Sequence, residues 1–359
     1  MIKEYLNHLV QEKEPRLFQR VQLSFLWLLS VLYRVIVWSL RGAYQLKIIT
    51  AKKLPVPVIS VGNITLGGAG KTPFVFLLAK YFFQKGYQPV ILTRGYMDKS
   101  FKPSHGKSAV SDEARQLEDT LKDVPVLTGA DRYQSAREYL NNHKADVFIL
   151  DDGFQHWKLH RDLDIVLLDS TRPFGNGELL PRGFLRESIS SLRVADEIIL
   201  TKVDSSRSQL DLISRRLGDL KIRNGVIQSV HRPTAWLDEG SQENFPLDYL
   251  DGKDAIMLTS IADPASFEEM LKRLNIFLKE SFCFMDHYVY NRTDFLDIIQ
   301  SCQTNQTQII VTTQKDIVKL RQFLGDKPQD INIYSLIISL ELLGRKESLY
   351  DRIDSVVFR

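Results

Sequence analysis

Val56–Thr72 reads VPVISVGNITLGGAGKT, and this stretch decides the fold. Val56, Val58, Ile59 and Val61 form a short apolar run of the kind a buried parallel strand uses. Gly67, Gly68 and Gly70 follow, then Lys71 and Thr72. Glycines let backbone N–H groups approach a polyphosphate closely. A lysine at this point neutralises β/γ-phosphate charge, and a threonine hydroxyl can ligate Mg²⁺. Strand, glycine-rich turn and apolar helix in this order predict a phosphate-binding loop. The match to G-x-x-x-x-G-K-[ST] lacks one glycine, because Thr65 occupies the first position. The alternative is a glycine-rich βα turn that binds no nucleotide.

Downstream, Pro73–Lys85 reads as a helix with Gly86 as its C-terminal cap. Pro89–Thr93 and Val124–Leu127 read as strands, Ser111–Lys122 as a helix, and Asp131 caps a helix through His143. Asp146–Leu150 is a strand that delivers Asp151-Asp152-Gly153-Phe154-Gln155-His156; Asp164–Leu168 and Glu197–Leu200 are two more. Strands alternating with helices predict a parallel sheet covered on both faces. Ser205–Leu217 looks like the helix leading out of this domain. A second βα run follows, with strands at Gly225–Val230, Ala255–Thr259 and Ile309–Thr312, a helix opened by Asp263-Pro264 and another capped by Thr293. The expected architecture is therefore two α/β/α domains. The first, residues 46–204, is a P-loop NTPase-like parallel sheet; the second covers residues 205–359; residues 1–45 form an N-terminal anchor region.

Upstream, Val21–Leu40 is the most hydrophobic segment and is about long enough to span a bilayer. Arg34 lies inside it, where a central arginine costs roughly 2.5–3.5 kcal/mol on insertion scales. No small-residue cleavage site follows. Arg16, Arg20, Arg41, Lys47, Lys52 and Lys53 flank it, and Trp27 and Trp38 lie within. A basic, tryptophan-bearing apolar helix fits an interfacial anchor on an anionic leaflet; a core helix and a true span are the alternatives. From Pro15 to Met97 there is no Asp or Glu against 11 Lys and Arg, so a net charge of +3 conceals one basic block and an acidic remainder. A hydrophobic content of 44% and a charged content of 25% place the chain among globular proteins. Cys283 and Cys302 give neither a disulfide framework nor zinc spacing and suit a reducing cytosol. No nucleic-acid partner is expected.

Asp151 and Asp152 follow an apolar strand, where a Walker-B-like carboxylate able to hold Mg²⁺ belongs; a solvated Asp-Gly turn is the alternative. Thr201-Lys202-Val203-Asp204 resembles the Asn-Lys-x-Asp base-reading tetrapeptide of GTPases, with Thr in place of Asn, and an ordinary βα turn is the favoured reading. Asp286-His287-Tyr288 follows an aromatic strand, Phe282–Phe284. Histidine is the usual general base near neutral pH, but a single histidine is more often structural.

VISVGNITLGGAGKTP, TRGY, SDE, DDGFQH, GNGELLPRGFLRES, DHY and TTQKDIVKL occur in one order between about residues 15 and 320. Together they resemble the tetraacyldisaccharide 4′-kinase family, the lipid A 4′-kinases of Gram-negative bacteria. The resemblance implies transfer of the γ-phosphate of ATP, with Mg²⁺, to the 4′-hydroxyl of a tetraacyl glucosamine disaccharide 1-phosphate, giving lipid IVA. It also implies an apolar basic N-terminal helix docked on the cytoplasmic face of the inner membrane, and a Thr at the position of Thr65. By match to the family's motifs, Thr65, Gly67, Gly68, Gly70, Lys71 and Thr72 would bind ATP, and Thr72, Asp151 and Asp152 would serve the metal. Asp112, in SDE, matches a catalytic aspartate and His287, in DHY, the histidine paired with it, with Lys71 the third catalytic residue. Arg94, Gln155, His156 and Glu187 match substrate-side positions. Gln314 stands where many members carry Glu, while Lys315 and Asp316 match. On this reading Asp112 and His287 would meet across an interdomain cleft that closes on ATP.

Two rival readings remain at this level. One is a membrane-associated P-loop GTPase or ATPase that delivers a partner, supported only by Thr201-Lys202-x-Asp204. The other is a cytosolic kinase for a soluble metabolite, which leaves Val21–Leu40 unexplained.

Overall fold

The computed structural model describes residues 10, 16–94, 123–205, 209–222, 226–286 and 288–358. Two compact units emerge. Among the described residues the first takes those up to Arg94, Val124–Val230 and everything from Leu342, and the second takes His231–Glu341. The boundary expected at 204/205 thus falls at 230/231, and the chain beyond 341 returns to the first unit.

In the first unit, α1 (Leu17–Gln45) precedes β1 (Val58–Asn63), α2 (Lys71–Gln84), β2 (Pro89–Thr93), β3 (Val126–Thr128), α3 (Arg132–Asn142), β4 (Val147–Asp151), β5 (Leu163–Asp169), β6 (Glu197–Thr201) and α4 (Leu210–Asp219). The expected helix Ser111–Lys122 lies outside the described residues. The strands align in the order β3-β2-β4-β1-β5-β6, followed by the start of β7 (Val226–Asp238). Every pairing in this row is parallel. β1, β2, β4 and β6 are buried along their whole length, as expected of strands covered on both faces. Residues alternate between the two cores: Val58, Val90, Leu92, Phe148 and Leu150 pack with Ala136 of α3, whereas Val166, Leu168, Ile198 and Leu200 pack with Ile213 and Leu217 of α4. Successive strands from β1 run to one side of it, return as β4 and then continue on the other side as β5. This makes β1 the point where strand order reverses, and open α/β sheets bind ligands at the carboxyl ends of strands at such a point.

α1 buries only Leu23, Leu26 and Ser30, so it is not a core helix. Positions 23, 26, 30, 33, 37 and 41 recur at helical spacing and face the body, while Phe18, Val21, Phe25, Leu28, Leu32 and Val35 are exposed on the other side, Phe18 at 70% and Phe25 at 60%.

The second unit holds β9 (Asp254–Thr259), α5 (Pro264–Arg273), β10 (Phe277–Cys283), α6 (Arg292–Thr304), β11 (Ile309–Thr313), α7 (Gln314–Leu320) and most of β7 and β12 (Asn332–Leu343). β10, β9, β11 and β12 pair in parallel in that order, and the short β8 (Asn244–Phe245) adds antiparallel to β7. Ile256 and Leu258 of β9 pack under α6 with Phe295 and Ile298; Ala255 and Met257 face α5 with Phe267 and Leu271. Asp263 caps α5, its carboxylate accepting from Ser266 N. The cap of α6 is Asn291, not Thr293, because the Asn291 side chain accepts from Asp294 N while Asp294 bonds back to Asn291 N.

The returning segment forms α8 (Lys346–Val357), which packs on α2. The Tyr81 and Tyr350 rings stack 4.4 Å apart, and Asp354 accepts from the Tyr81 hydroxyl (2.9 Å) and from Lys85 (2.6 Å). Arg352 reaches the start of β6, donating to Asp196 and Glu197.

Candidate active site

The chemistry-bearing motifs of the first unit lie at the carboxyl ends of its strands. β1 runs into the glycine-rich loop, β4 ends at Asp151, β2 at Thr93, β5 at Asp169 and β6 at Thr201. Val61 of β1 sits opposite Asp151, which puts that carboxylate beside the strand feeding the loop. Asp151 is buried and accepts from the Thr93 hydroxyl at 3.2 Å.

The loop explains its own departure from the common pattern. Positive φ values occur at Gly67 (115°) and Gly70 (78°), where a side chain would be strained. Thr65 instead lies in an antiparallel bridge with Leu185, flanked by Leu66 N to Phe184 O and Arg186 N to Ile64 O, both 2.7 Å. An extended residue held in a bridge has no need of glycine. A Cβ at Gly68 would meet nothing within 4 Å, so internal packing does not demand glycine there. Gly70 is the N-cap of α2, and Lys71 and Thr72 fall in its first turn, which carries unpaired N–H groups and the positive end of the helix dipole.

Lys71 Nζ lies 3.5 Å from Asp152 Oδ1, and Arg186 Nη1 lies 2.7 and 2.9 Å from the two Asp152 oxygens. Burial pushes the Asp152 carboxyl up, but Lys71 and Arg186 outweigh it and hold the group below the usual carboxylate range. Gln155 Nε2 donates to Asn63 O at 2.8 Å, tying DDGFQH to the end of β1, and Asn63 in turn donates to Thr65 O. His156 Nδ1 lies 3.4 Å from Arg132 Nη1; arginine can only donate, so Nδ1 is the acceptor and the ring is neutral. Burial, followed by Arg132 and Arg161, takes its pKa down to about 4.

Glu187 is placed differently from the other expected substrate-side residues. It is buried and engages Arg41 of α1, whose guanidinium also donates to Ser191 O at 3.2 Å. Burial pushes the Glu187 carboxyl up, against the pull of Arg41. The Tyr33 hydroxyl donates to Arg186 O, and Ser30 Oγ donates to Leu179 O while accepting from Arg182 N, each at 2.9 Å. The 179–187 segment therefore joins α1 on one side to the loop and Asp152 on the other. Arg94 is exposed just after β2. Asp112 and His287 lie outside the described residues.

Around the DHY motif the second unit is tightly bonded. Buried Asp316, at the start of α7, accepts from Thr259 Oγ1 (3.0 Å), Ser260 N (3.0 Å), Thr313 Oγ1 (2.7 Å) and the Tyr290 hydroxyl (3.1 Å). Burial and then Asp316 push the Tyr290 hydroxyl up. Lys315 pairs with Asp286, the residue before His287, at 2.9 Å.

Sequence reasoning missed Arg186, Arg41 and Asn63. Arg186 stands inside the quoted GFLRES run, next to a residue that was singled out, but no local pattern assigns it to Asp152.

A family model for tetraacyldisaccharide-1-P 4′-kinase (LpxK) matches residues 22–357. The protein belongs to this family. The tetraacyldisaccharide 4′-kinase of Halothermothrix orenii is 34% identical, over 96% of this chain and 95% of its own. That of Syntrophus aciditrophicus is 36% identical, over 89% and 90%. The solved structure of LpxK from Aquifex aeolicus in complex with ATP superposes with a TM-score of 0.71 at 32% identity, covering 94% of this chain and 99% of that one. The α/β architecture with its P-loop sheet thus belongs to a tetraacyldisaccharide 4′-kinase family member, and the chain is a kinase. The partner-delivery GTPase reading is not favoured. Its only support was the tetrapeptide at 201–204, where Lys202 pairs with Asp169 at 2.5 Å and Thr201 turns to the glycine-rich loop.

Proposed function

We propose that this kinase transfers the γ-phosphate of ATP to the 4′-hydroxyl of a tetraacyl glucosamine disaccharide 1-phosphate at the cytoplasmic face of the inner membrane. One observation carries the reading: Lys71 and Arg186 converge on Asp152 where the glycine-rich loop meets the carboxyl end of β4, in a chain that belongs to this family. The relative solved with ATP supports ATP as the donor. Thr65, Gly67, Gly68, Gly70, Lys71 and Thr72 would hold the triphosphate, and Arg94, Gln155 and His156 would face the sugar. The burial of Glu187 against Arg41 supports a role for it in fixing the 179–187 segment rather than in direct substrate contact.

The donor set fits Mg²⁺. A threonine hydroxyl and aspartate carboxylates are hard oxygen ligands, and Mg²⁺ takes its remaining ligands from water and phosphate. Thr72 and Asp151 would hold it, with Asp152 beside them. When bound, it neutralises charge on the β- and γ-phosphate oxygens. The chain's own residues do the rest. Lys71 stabilises charge on the transferring group, and Asp112, oriented by His287, accepts the proton of the sugar hydroxyl.

A substrate with four acyl chains stays in the leaflet, so the enzyme must come to it. The exposed apolar stripe of α1, with Trp27 and Trp38 also exposed, supports an interfacial anchor, and the basic block favours an anionic surface. Arg34 lies 4.0 Å from Glu178 of the body, which disfavours burying that stretch of helix in hydrocarbon. A kinase for a soluble metabolite has no use for such a stripe.

The test is incubation of the purified protein with Mg-ATP and the tetraacyl disaccharide 1-phosphate, with mass spectrometry of the lipid. A bis-phosphorylated product is expected. Nucleotide hydrolysis that is indifferent to the acceptor, or a preference for GTP, would overturn the reading.

A further inference from the structure

Thr201, the first residue of Thr201-Lys202-Val203-Asp204, ends β6 beside the glycine-rich loop. We propose that Thr201 is a positioning residue for the phosphate-binding loop: its hydroxyl fixes the orientation of the Ala69–Gly70 peptide and thereby sets the direction of the Gly70 N–H. The proposal rests on the nucleotide site described under Proposed function.

Thr201 is the last residue of β6 and is fully buried. Its Oγ1 donates to Ala69 O at 3.1 Å, with Leu168 O a more distant acceptor at 3.4 Å. The residue is itself clamped, because its carbonyl accepts from Ser170 N at 3.0 Å and Ser170 Oγ at 2.6 Å. Ala69 is buried and stands two positions before Lys71, inside GGAGKT.

A trans peptide is planar, so its carbonyl and the N–H of the next residue point in opposite directions. Drawing Ala69 O toward β6 therefore turns Gly70 N–H away from β6. Something must make this choice. Rotating the Ala69–Gly70 peptide changes φ at Gly70, and glycine accepts either sign of φ at little cost. Gly70 sits at φ 78° and begins α2, so the peptide orientation also sets how the first turn of that helix, with Lys71 and Thr72, is entered. Without the hydroxyl, a buried carbonyl would lose its partner and the loop would sample both orientations. Only one of them presents the amide to an anion. Lys202 does not compete for this role, since its ammonium is paired with Asp169.

The experiment compares Thr201→Val, nearly the same shape without the hydroxyl, with Thr201→Ser, which keeps the hydroxyl and loses the methyl. Thr201→Ala serves if the valine variant does not fold. KM for Mg-ATP, kcat and the thermal midpoint are measured for each, with direct ATP binding to wild type and to Lys71→Ala alongside. Loss of one buried hydrogen bond predicts a rise in KM for ATP of about 10-fold in Thr201→Val, with KM near wild type in Thr201→Ser. A merely structural role would instead lower the thermal midpoint in Thr201→Val with KM unchanged, or raise KM equally in the serine variant; either result overturns the proposal. If wild type binds ATP and Lys71→Ala does not, while Thr201→Val and Thr201→Ala bind like wild type, this proposal alone fails. If wild type binds no ATP, the nucleotide-site reading fails and takes the proposal with it.

Discussion

Lys71 Nζ rests 3.5 Å from Asp152 Oδ1, so the lysine of the glycine-rich loop is already neutralised by the second carboxylate of DDGFQH. Arg186 shares that carboxylate, so two cations surround the Asp152 anion. Replacing Lys71 by Ala should cost roughly 10²–10³-fold in kcat, the usual range for one preorganised electrostatic donor. Asp152 keeps Arg186 in that variant, so the thermal midpoint should stay close to wild type. A folded Lys71→Ala protein with normal turnover would end the assignment of this loop to phosphate.

Asp112 and His287 are proposed to work as one unit, and units are strongly non-additive. Asp112→Ala should lose roughly 10²–10⁴-fold in kcat, the range of general-base assistance. His287→Ala should lose a similar or smaller amount, and the double variant little more than the worse single. Steady-state kinetics on all three decide it. Fully multiplicative losses would show two independent residues, and a His287→Ala protein with lowered stability but normal kcat would make the histidine structural.

Membrane attachment should depend on one face of α1. Phe25, Leu28 and Leu32 are exposed, whereas Leu26 faces the body. Each apolar side chain is worth about 1.5–3 kcal/mol when fully buried, so changing all three to Ser should weaken vesicle partitioning by at least about three orders of magnitude. ATP binding should persist, because the bonds from Ser30, Tyr33 and Arg41 to the 179–191 region remain. Co-sedimentation with anionic vesicles measures it, and retention of the triple variant at high salt would place the anchor elsewhere.

The half-buried His156 gives a pH signature. Its pKa is 6.5 as a free side chain and about 4 here, because burial and the neighbouring Arg132 and Arg161 oppose its charge. Between those values the unfolded chain binds the extra proton. His156 therefore makes its full contribution above about pH 6.5 and loses it progressively as the pH falls toward 4. The thermal midpoint of His156→Gln, relative to wild type, should accordingly rise on going from neutral pH into that window. Parallel midpoint-versus-pH curves for the two proteins would refute a neutral buried imidazole.

What the sequence made legible was whatever is written locally. The apolar runs at 58–61, 147–150 and 198–200 became buried parallel strands, and Asp131 and Asp263 became caps because a cap needs only the next three residues. Local ambiguity produced the one misplaced cap: Asn291 and Thr293 both suit the position, and the reciprocal bond with Asp294 decides for Asn291. The site itself was legible as far as its motifs lie at strand ends. Its cross-links were not. Arg186 reaches back to Asp152, Arg41 to Glu187 and Thr201 to Ala69 over 34, 146 and 132 positions, and no periodicity encodes a contact of that span. The return of the chain from Leu342 to the first unit was not legible for the same reason, since the affinity of α8 for α2 lies in a stacked tyrosine pair and an Asp354–Lys85 contact between distant segments.

That returning helix has a consequence for how the protein is made. The face of α2 carrying Tyr81 and Lys85 leaves the ribosome early, but its cover, Tyr350 and Asp354, is translated only after the second unit. At about 5–20 residues per second, the interval is on the order of tens of seconds, during which the nascent nucleotide-binding unit is unfinished while the unit encoded inside it is already available to fold. A message cut short anywhere before codon 346 therefore leaves the α2 surface bare, so translation must run nearly to the end of this sequence before the phosphate-binding helix has its full support.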